Sequence, residues 1–276
     1  MPLKLMYITK DPKVAEIAEA AGVDRIFVDM EYIGKADRQG GMDTVQSHHT
    51  AEDIKAVKQV LKTAKLMARC NPIHKATSEY CSSEEEINKV VEAGADIIML
   101  PFFKTAKEVK RYVDAVGGRA KTLPLVETPE AVEHIDEILE IEGIDEIFVG
   151  LNDLSLGYGM KFMFELLANG TVEKLCKKFE EKGIPYGFGG IAALGKGMLP
   201  AEKVIAEHYR LGSTCAILSR SFCNTNLITD FDEIEKIFKT GLKEIREYEV
   251  FCEQQNEEFF ENNLTELKKA VEIIKG

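Results

Sequence analysis

Two carboxylates follow short apolar segments at positions suited to binding a metal ion. Glu127 comes directly after the apolar run 123–126, and Asp153 follows the apolar run 147–149 by a few residues. An ionised group at the end of a buried strand is costly unless it is paired or bound to a metal. Mg²⁺ prefers oxygen ligands and often takes one or two carboxylates together with water and substrate. Glu127 and Asp153 are therefore candidate ligands for a divalent cation.

Further charged residues end two other apolar segments. Asp29 and Glu31 close one segment, and Arg69 closes the next. Capping of a following helix and salt bridges among these groups would also explain acids at strand ends. Glu127 precedes Thr128 and a proline, for example, and could cap a helix there.

The segments that carry these residues alternate with amphipathic helical patterns, which predicts a parallel sheet covered by helices. The predicted strands are Leu3–Thr9, Arg25–Glu31, Lys65–Cys70, Ile97–Phe103, Thr122–Glu127, Glu146–Val149, Pro185–Gly189 and Cys215–Ser219. The predicted helices span 11–22, 50–64, 82–94, 105–116, 129–142, 161–182, with a break at Asn169–Gly170, and 200–211. Roughly eight such units over about 220 residues favour an α/β fold of the (β/α)₈ TIM-barrel type, whose chemistry lies at the carboxyl ends of the strands. A doubly wound sheet is the alternative, although no GxGxxG follows the first strand.

The last part of the chain has a different pattern. We expect a barrel over residues 1–224 and a helical extension over 225–276, because no strand pattern occurs beyond Asp230. The extension carries an apolar stripe at helical spacing, formed by Phe231, Ile234, Ile237, Phe238, Leu242 and Ile245. This stripe could cover the barrel or contribute to oligomerisation, and its spacing does not separate these two possibilities. We expect a homo-oligomer formed through barrel faces and the C-terminal helices.

Charge and composition exclude some classes of function. The 276 residues include 35 Lys and Arg against 47 Asp and Glu, which gives a net charge of −12. Sequence-independent binding of nucleic acid needs basic residues to neutralise phosphates, so we expect no nucleic-acid partner. Because no apolar run of about 18 residues occurs, we expect no membrane span. The N-terminal segment resembles no secretory leader, and the six cysteines form no CxxC pair. We therefore expect a cytoplasmic protein.

Two motifs taken together resemble a known family. The segment ETPEA at Glu127–Ala131 precedes GIDEIFVGLNDLSLGYG at Gly143–Gly159. Upstream lie FVDMEY, MARC and EAGADIIMLPFF. This pattern resembles the class II pyruvate aldolases, which include 4-hydroxy-2-oxoheptanedioate aldolase and, more distantly, the citrate lyase β subunit. The family belongs to the phosphoenolpyruvate/pyruvate-binding barrel superfamily, and the resemblance covers roughly residues 25–222.

The resemblance implies a role for each matching residue. Glu127 and Asp153 would bind Mg²⁺, Mn²⁺ or Co²⁺, and Arg69 would bind the substrate and stabilise an enolate. Asp29 and Glu31 would lie beside the water ligands of the metal. We further expect Gly150, Asn152 and Tyr32 to contribute to substrate binding.

One position departs from the family pattern. Tyr32 stands where the family aldolases carry the histidine that acts as the base. Tyrosine has an ordinary pKa of about 10, against about 6.5 for histidine, and is a poor base at neutral pH. The segment after Tyr32 is longer than in the family and contains His48 and His49, either of which could supply a replacement base. The alternative is that both histidines are ordinary loop residues with no catalytic role.

The resemblance implies a metal-dependent carbon–carbon lyase of the aldehyde-lyase type, which acts on a small 2-oxo acid through a metal-stabilised pyruvate enolate. Because Tyr32 stands in place of the family's base, two alternatives to this activity remain open. One is an enzyme of another reaction class, a hydrolase or decarboxylase of a 2-oxo or phospho acid, on the same metal platform. The other is a non-catalytic ligand-binding member.

Overall fold

The computed structural model describes residues 1–35 and 49–276, and in these residues eight parallel strands close into a barrel. Each strand pairs with the next, and the last pairs with the first. The predicted (β/α)₈ barrel is therefore confirmed. The strands are β1 (Lys4–Ile8), β2 (Arg25–Asp29), β3 (Lys65–Arg69), β4 (Ile97–Leu100), β5 (Lys121–Val126), β6 (Ile147–Val149), β7 (Tyr186–Ile191) and β8 (Cys215–Leu218).

Helices surround the barrel and mostly begin where the sequence predicts them. Thr50, Ser82 and Thr105 each accept a hydrogen bond from the backbone N–H three residues on, so each caps the helix that follows. The helices are α1 (Pro12–Ala21), α2 (Ala51–Val60), α3 (Ser83–Glu92), α4 (Ala106–Val116), α5 (Pro129–Glu133), α6 (Ile135–Ile138), α7 (Leu151–Gly157), α8 (Glu165–Ala168), α9 (Thr171–Glu181), α10 (Ala201–Arg210), α11 (Phe231–Glu253) and α12 (Glu257–Lys275).

One predicted helix differs in detail from the structure. The segment predicted as one helix over 129–142 forms the two short helices α5 and α6. The segment 161–182 is interrupted at Asn169–Gly170, where the sequence predicts a break, and the φ of 80° at Gly170 lies in the left-handed region that favours glycine. The short helix α7 was not predicted, and it places Asp153 in a first helical turn rather than at a strand end.

Alternation along the strands decides which side chains enter the barrel. Neighbouring side chains on a strand point to opposite faces, so residues two apart share a face. On β2 the interior residue Phe27 is followed on the same face by Asp29. On β3 Met67 is followed in the same way by Arg69, and on β5 Leu125 is followed by Glu127. The charged strand ends therefore form one layer above an apolar interior.

A buried ion pair closes the opposite end of the barrel. The Arg25 guanidinium donates two hydrogen bonds to the Glu146 carboxylate, at 2.7 and 2.8 Å, and both side chains are buried. Arg25 begins β2, and Glu146 immediately precedes β6. In a TIM barrel this amino end of the strands contributes to stability rather than to catalysis.

The helical extension packs on the chain's own barrel. Ile234, Phe238, Leu242 and Ile245 of the predicted stripe are buried in α11. The ring of Phe238 meets that of Tyr7 on β1 edge to face, with the centroids 4.8 Å apart. The apolar stripe of α11 therefore covers the barrel of its own chain, and the homo-oligomer remains a prediction. Among the described residues no helix is long and apolar enough to cross a membrane.

We expect Arg25→Met to lower the free energy of unfolding by about 3 kcal/mol, because it leaves the Glu146 carboxylate buried without its main partner. The double variant Arg25→Met/Glu146→Leu should recover much of this loss. Denaturant titration measures both effects. The control Lys110→Met removes an exposed pair with Asp114 and should cost less than about 1 kcal/mol. Equal losses in both single variants would contradict this role.

Candidate active site

Asp29 and Arg69 meet at the mouth of the barrel because their strands pair in register. The two residues are direct partners across β2 and β3. Arg69 donates from Nε to Oδ1 of Asp29 at 2.8 Å and from Nη2 to Oδ2 at 2.7 Å. Burial alone would raise the pKa of Asp29, but Arg69 and Lys35 hold this pKa below its usual range. Asp29 therefore stays ionised and fixes the orientation of the guanidinium.

A second cation, Lys35, joins the same cluster. Its Nζ donates to Oδ2 of Asp29 at 2.9 Å and lies 3.5 Å from Oε2 of Glu31. The Nε of Arg69 lies 3.3 Å from the same Glu31 oxygen. Lys35 is not among the residues that the sequence predicted for the site, although a lysine soon after two acids at a buried strand end was an available signal.

The backbone around Glu127 holds its carboxylate in place. Its Oε1 accepts a hydrogen bond from the Phe102 N–H at 2.9 Å, and Phe102 has a φ of 49°, which is unusual for a residue other than glycine. A Cβ on Gly150 would lie 2.8 Å from Oε2 of Glu127, so only glycine leaves room for the carboxylate. Burial raises the pKa of Glu127, and the charges of Glu31 and Asp153 raise it further.

The donor chemistry of this cluster fits a divalent cation. Four carboxylates, those of Asp29, Glu31, Glu127 and Asp153, interact with two cations, Arg69 and Lys35. With all four carboxylates ionised, these six groups would have two more negative charges than positive ones, and a divalent cation would balance that excess. Among residues 1–35 and 49–276 no three histidine, cysteine or acidic side chains are arranged to hold a metal. A cation would thus depend on two carboxylates plus water and substrate.

A cavity of about 940 Å³ opens beside this cluster. Of the predicted site residues, those that line it are Asp29, His49, Arg69, Asn152 and Asp153, and Lys35 lines it too. Gly150, Glu31 and Glu127 are not among the residues that line it, and both carboxylates are buried.

Tyr32 is not among the described residues that line the cavity. Its backbone N–H donates to Oδ1 of Asn71 at 3.0 Å, and its ring lies 5.4 Å from that of Tyr80. Asn71 is in turn held by Glu86 at 2.8 Å. Burial, followed by the charge of Glu86, raises the pKa of Tyr32. The phenol therefore stays protonated at neutral pH.

His49 lies against the backbone of β2. Its Nδ1 accepts a hydrogen bond from the Asp29 N–H at 3.0 Å. An amide nitrogen can only donate, so Nδ1 carries no proton and the neutral ring has its proton on Nε2. Burial lowers the pKa of His49, which favours this neutral form. The other predicted candidate, His48, lies outside the described residues.

Comparison with known proteins identifies the family. The model of the HpcH/HpaI aldolase/citrate lyase family matches residues 4–165, which is more than half of the chain. The chain belongs to this family. The matched residues contain Asp29, Arg69, Glu127 and Asp153. The resemblance stated from the motifs is therefore confirmed.

The individual curated relatives that match the chain share only about a quarter of the aligned residues with it. The chain is 25% identical over 176 residues to a 2-keto-3-deoxy-L-rhamnonate aldolase of Escherichia coli O9:H4, and 26% identical to one of Salmonella paratyphi B. Each match covers 53% of this chain and 58% of the relative, so the chain spans little more than half of these relatives.

Solved structures of the family share the fold. An HpcH/HpaI aldolase from Desulfitobacterium hafniense DCB-2 has a TM-score of 0.58 at 16% identity, covering 79% of this chain and 86% of that one. An HpcH/HpaI aldolase/citrate lyase family protein from Burkholderia cenocepacia J2315 has a TM-score of 0.61 at 15% identity. That match covers 84% of this chain and 94% of the other.

The contact between Gly150 and Glu127 predicts intolerance of a methyl group. Gly150→Ala should lower the free energy of unfolding by about 1–3 kcal/mol, because the Glu127 carboxylate and the Leu125 side chain must move. Gly190→Ala is the matched control, since a Cβ there meets its nearest atom at 3.4 Å. Denaturant titration of both variants checks this. Equal stability of the two would show that Gly150 does not confine Glu127.

Proposed function

We propose that this protein is a carbon–carbon lyase that makes or breaks the bond next to the keto group of a 2-oxo acid. The observation that carries the proposal is the buried cluster of Asp29, Lys35 and Arg69 beside Glu127 and Asp153, at the carboxyl end of the barrel. Membership of the aldolase/citrate lyase family supports it. We expect the protein to work on a small-molecule substrate in the cytoplasm.

In the synthetic direction the methyl carbon of pyruvate loses a proton and bonds to an aldehyde carbon, and the aldehyde oxygen gains a proton. Glu127 and Asp153 would hold Mg²⁺, Mn²⁺ or Co²⁺, and such a cation would supply positive charge that stabilises the enolate of the 2-oxo acid. Arg69 would donate a hydrogen bond to the oxygen on which negative charge develops. Asp29 and Lys35 keep Arg69 oriented, so little reorganisation is needed when that charge forms.

His49 would serve as a hydrogen-bond donor through Nε2. Its Nδ1 is occupied by the Asp29 N–H, so accepting a proton there would break that bond. A neutral imidazole that lines the cavity can donate Nε2–H to a substrate oxygen. This role differs from that of a replacement base, which would need a free lone pair towards the substrate.

The proposed activity predicts exchange of the methyl protons of pyruvate for deuterium when Mn²⁺ is present. Glu127→Gln should slow this exchange on the order of 100-fold, since it removes a charged ligand. Saturating Mn²⁺ should raise the melting temperature of the wild type by about 5 °C. The Glu127→Gln variant should show no such rise. Mass spectrometry and thermal unfolding measure the two effects.

The matched control is Glu130→Gln. Glu130 lies on α5, is half-buried and pairs with Lys104 at 2.8 Å, so this variant should keep both properties. Wild-type protein that neither exchanges pyruvate protons nor responds to Mn²⁺ would refute the proposed function.

The donor role of His49 predicts a particular tautomer. In histidine labelled with ¹⁵N, we expect Nδ1 unprotonated and Nε2 protonated at pH 7, because the Asp29 amide occupies Nδ1. His49→Phe should lower kcat for the aldol reaction by roughly 100-fold, as loss of a positioned donor does. A spectrum that shows the proton on Nδ1 would contradict the donor role.

A further inference from the structure

The residues that follow β2 bring two charged side chains back to the active-site cluster. We call residues 30–35 the β2 turn. The turn ends on Lys35, whose Nζ donates to Oδ2 of Asp29 at 2.9 Å. It also carries Glu31, whose Oε2 lies 3.3 Å from Nε of Arg69. Both contacts therefore depend on where the backbone of the β2 turn lies.

Asn71 ties the middle of the β2 turn to the chain that leaves β3. Its side-chain Oδ1 accepts the backbone N–H of Tyr32 at 3.0 Å and that of Ile33 at 2.9 Å. Asn71 follows Arg69 by two residues, and only 3% of its surface is exposed. The same short stretch of chain thus carries the Arg69 guanidinium and the amide that fixes the turn packed against it.

Glu86 on α3 holds the other half of the Asn71 amide. Its Oε1 accepts a hydrogen bond from Nδ2 of Asn71 at 2.8 Å and another from the Asn71 backbone N–H at 3.1 Å. Burial raises the pKa of Glu86, but a carboxyl group accepts hydrogen bonds in both its protonated and its ionised form. An asparagine accepts on one side-chain atom and donates from the other, so this position joins α3 to the β2 turn.

We propose that Asn71 is a positioning residue for the reaction: it fixes the β2 turn, and the turn keeps the Arg69 guanidinium oriented through Lys35 and Glu31. Glu86 in turn fixes Asn71. The proposal rests on the function proposed above, in which Arg69 donates to the oxygen on which negative charge develops. Asn71 is not among the residues that line the cavity, so it acts through the β2 turn rather than on the substrate.

Asn71→Ala removes the acceptor of two backbone N–H groups in the β2 turn. With pyruvate and Mn²⁺, kcat for deuterium exchange should fall by about 10- to 100-fold, which is the cost of misplacing a reacting group by about 1 Å. KM should change by less than about threefold, because the orientation of the Arg69 donor matters most when charge develops. Mass spectrometry follows the exchange at a series of pyruvate concentrations.

The matched control is Asn263→Ala. Asn263 on α12 is also a buried asparagine, and its Nδ2 donates to Oε1 of Glu207 at 3.0 Å, in a helix pair on the outside of the barrel. This variant should lose stability in denaturant titration and keep the wild-type kcat. An equal fall of kcat in the two variants would overturn the proposal, since any loss of a buried amide would then have the same effect.

Variants of Glu86 test the second link and serve also if Asn71→Ala does not fold. Glu86→Gln keeps an acceptor oxygen for Asn71 and should keep kcat within about threefold of the wild-type value, whereas Glu86→Ala should lower kcat by about tenfold or more. Rescue by glutamine assigns the effect to the hydrogen bond rather than to the charge. Wild-type kcat in Glu86→Ala would contradict the proposed link.

The Arg69 side chain gives a readout that does not depend on turnover. Its Nε donates to Oδ1 of Asp29 at 2.8 Å, so we expect a resolved ¹⁵N–¹H signal for this group in the wild type. Asn71→Ala should speed the exchange of this proton with solvent at least about tenfold, and Asn263→Ala should leave it unchanged. If the wild type fails to exchange pyruvate protons but this signal responds to Asn71→Ala, the proposed function falls and the positioning of Arg69 stands. If pyruvate exchange is found, and Asn71→Ala changes neither kcat nor the Arg69 signal, the positioning role falls and the proposed function stands.

Discussion

Burial of charge at one end of the barrel is the constraint on which the site depends. Strand alternation places Asp29, Arg69 and Glu127 on the interior face, one step above a closed apolar layer. Ionised groups in such a place need partners. Arg69 and Lys35 satisfy Asp29 and Glu31, whereas the pKa of Glu127 stays raised by burial and by neighbouring acids. The same cluster that holds Arg69 in position also brings Glu127 close to other acids, an arrangement that a bound cation would stabilise.

Much of this arrangement follows from local rules in the sequence. The repeated strand and helix patterns predicted the closed barrel, and the positions of Glu127 and Arg69 at strand ends predicted their common edge. The paired motifs around Glu127 and Asp153 predicted the family, which the match over residues 4–165 confirms.

Other features depend on tertiary contacts that no local pattern shows. Lys35 reaches Asp29 only because the chain turns back after β2, and Gly150 matters because Glu127 lies against it. The tautomer of His49 is set by the hydrogen bond that its Nδ1 accepts from the backbone N–H of Asp29, 20 residues earlier in the chain. The apolar stripe of α11 was compatible with a subunit contact or a covering helix until its packing against Tyr7 was known.

The central claim is that Glu127 and Asp153 hold a divalent cation that receives a 2-oxo acid also bound by Arg69. The most direct measurement is a crystal structure with Mn²⁺ and oxalate, using anomalous scattering to locate the metal. We predict one manganese peak bound by Glu127 and Asp153, with oxalate reaching both the metal and the Arg69 guanidinium. Oxalate and manganese bound elsewhere, or a manganese peak that contacts neither carboxylate, would contradict the account.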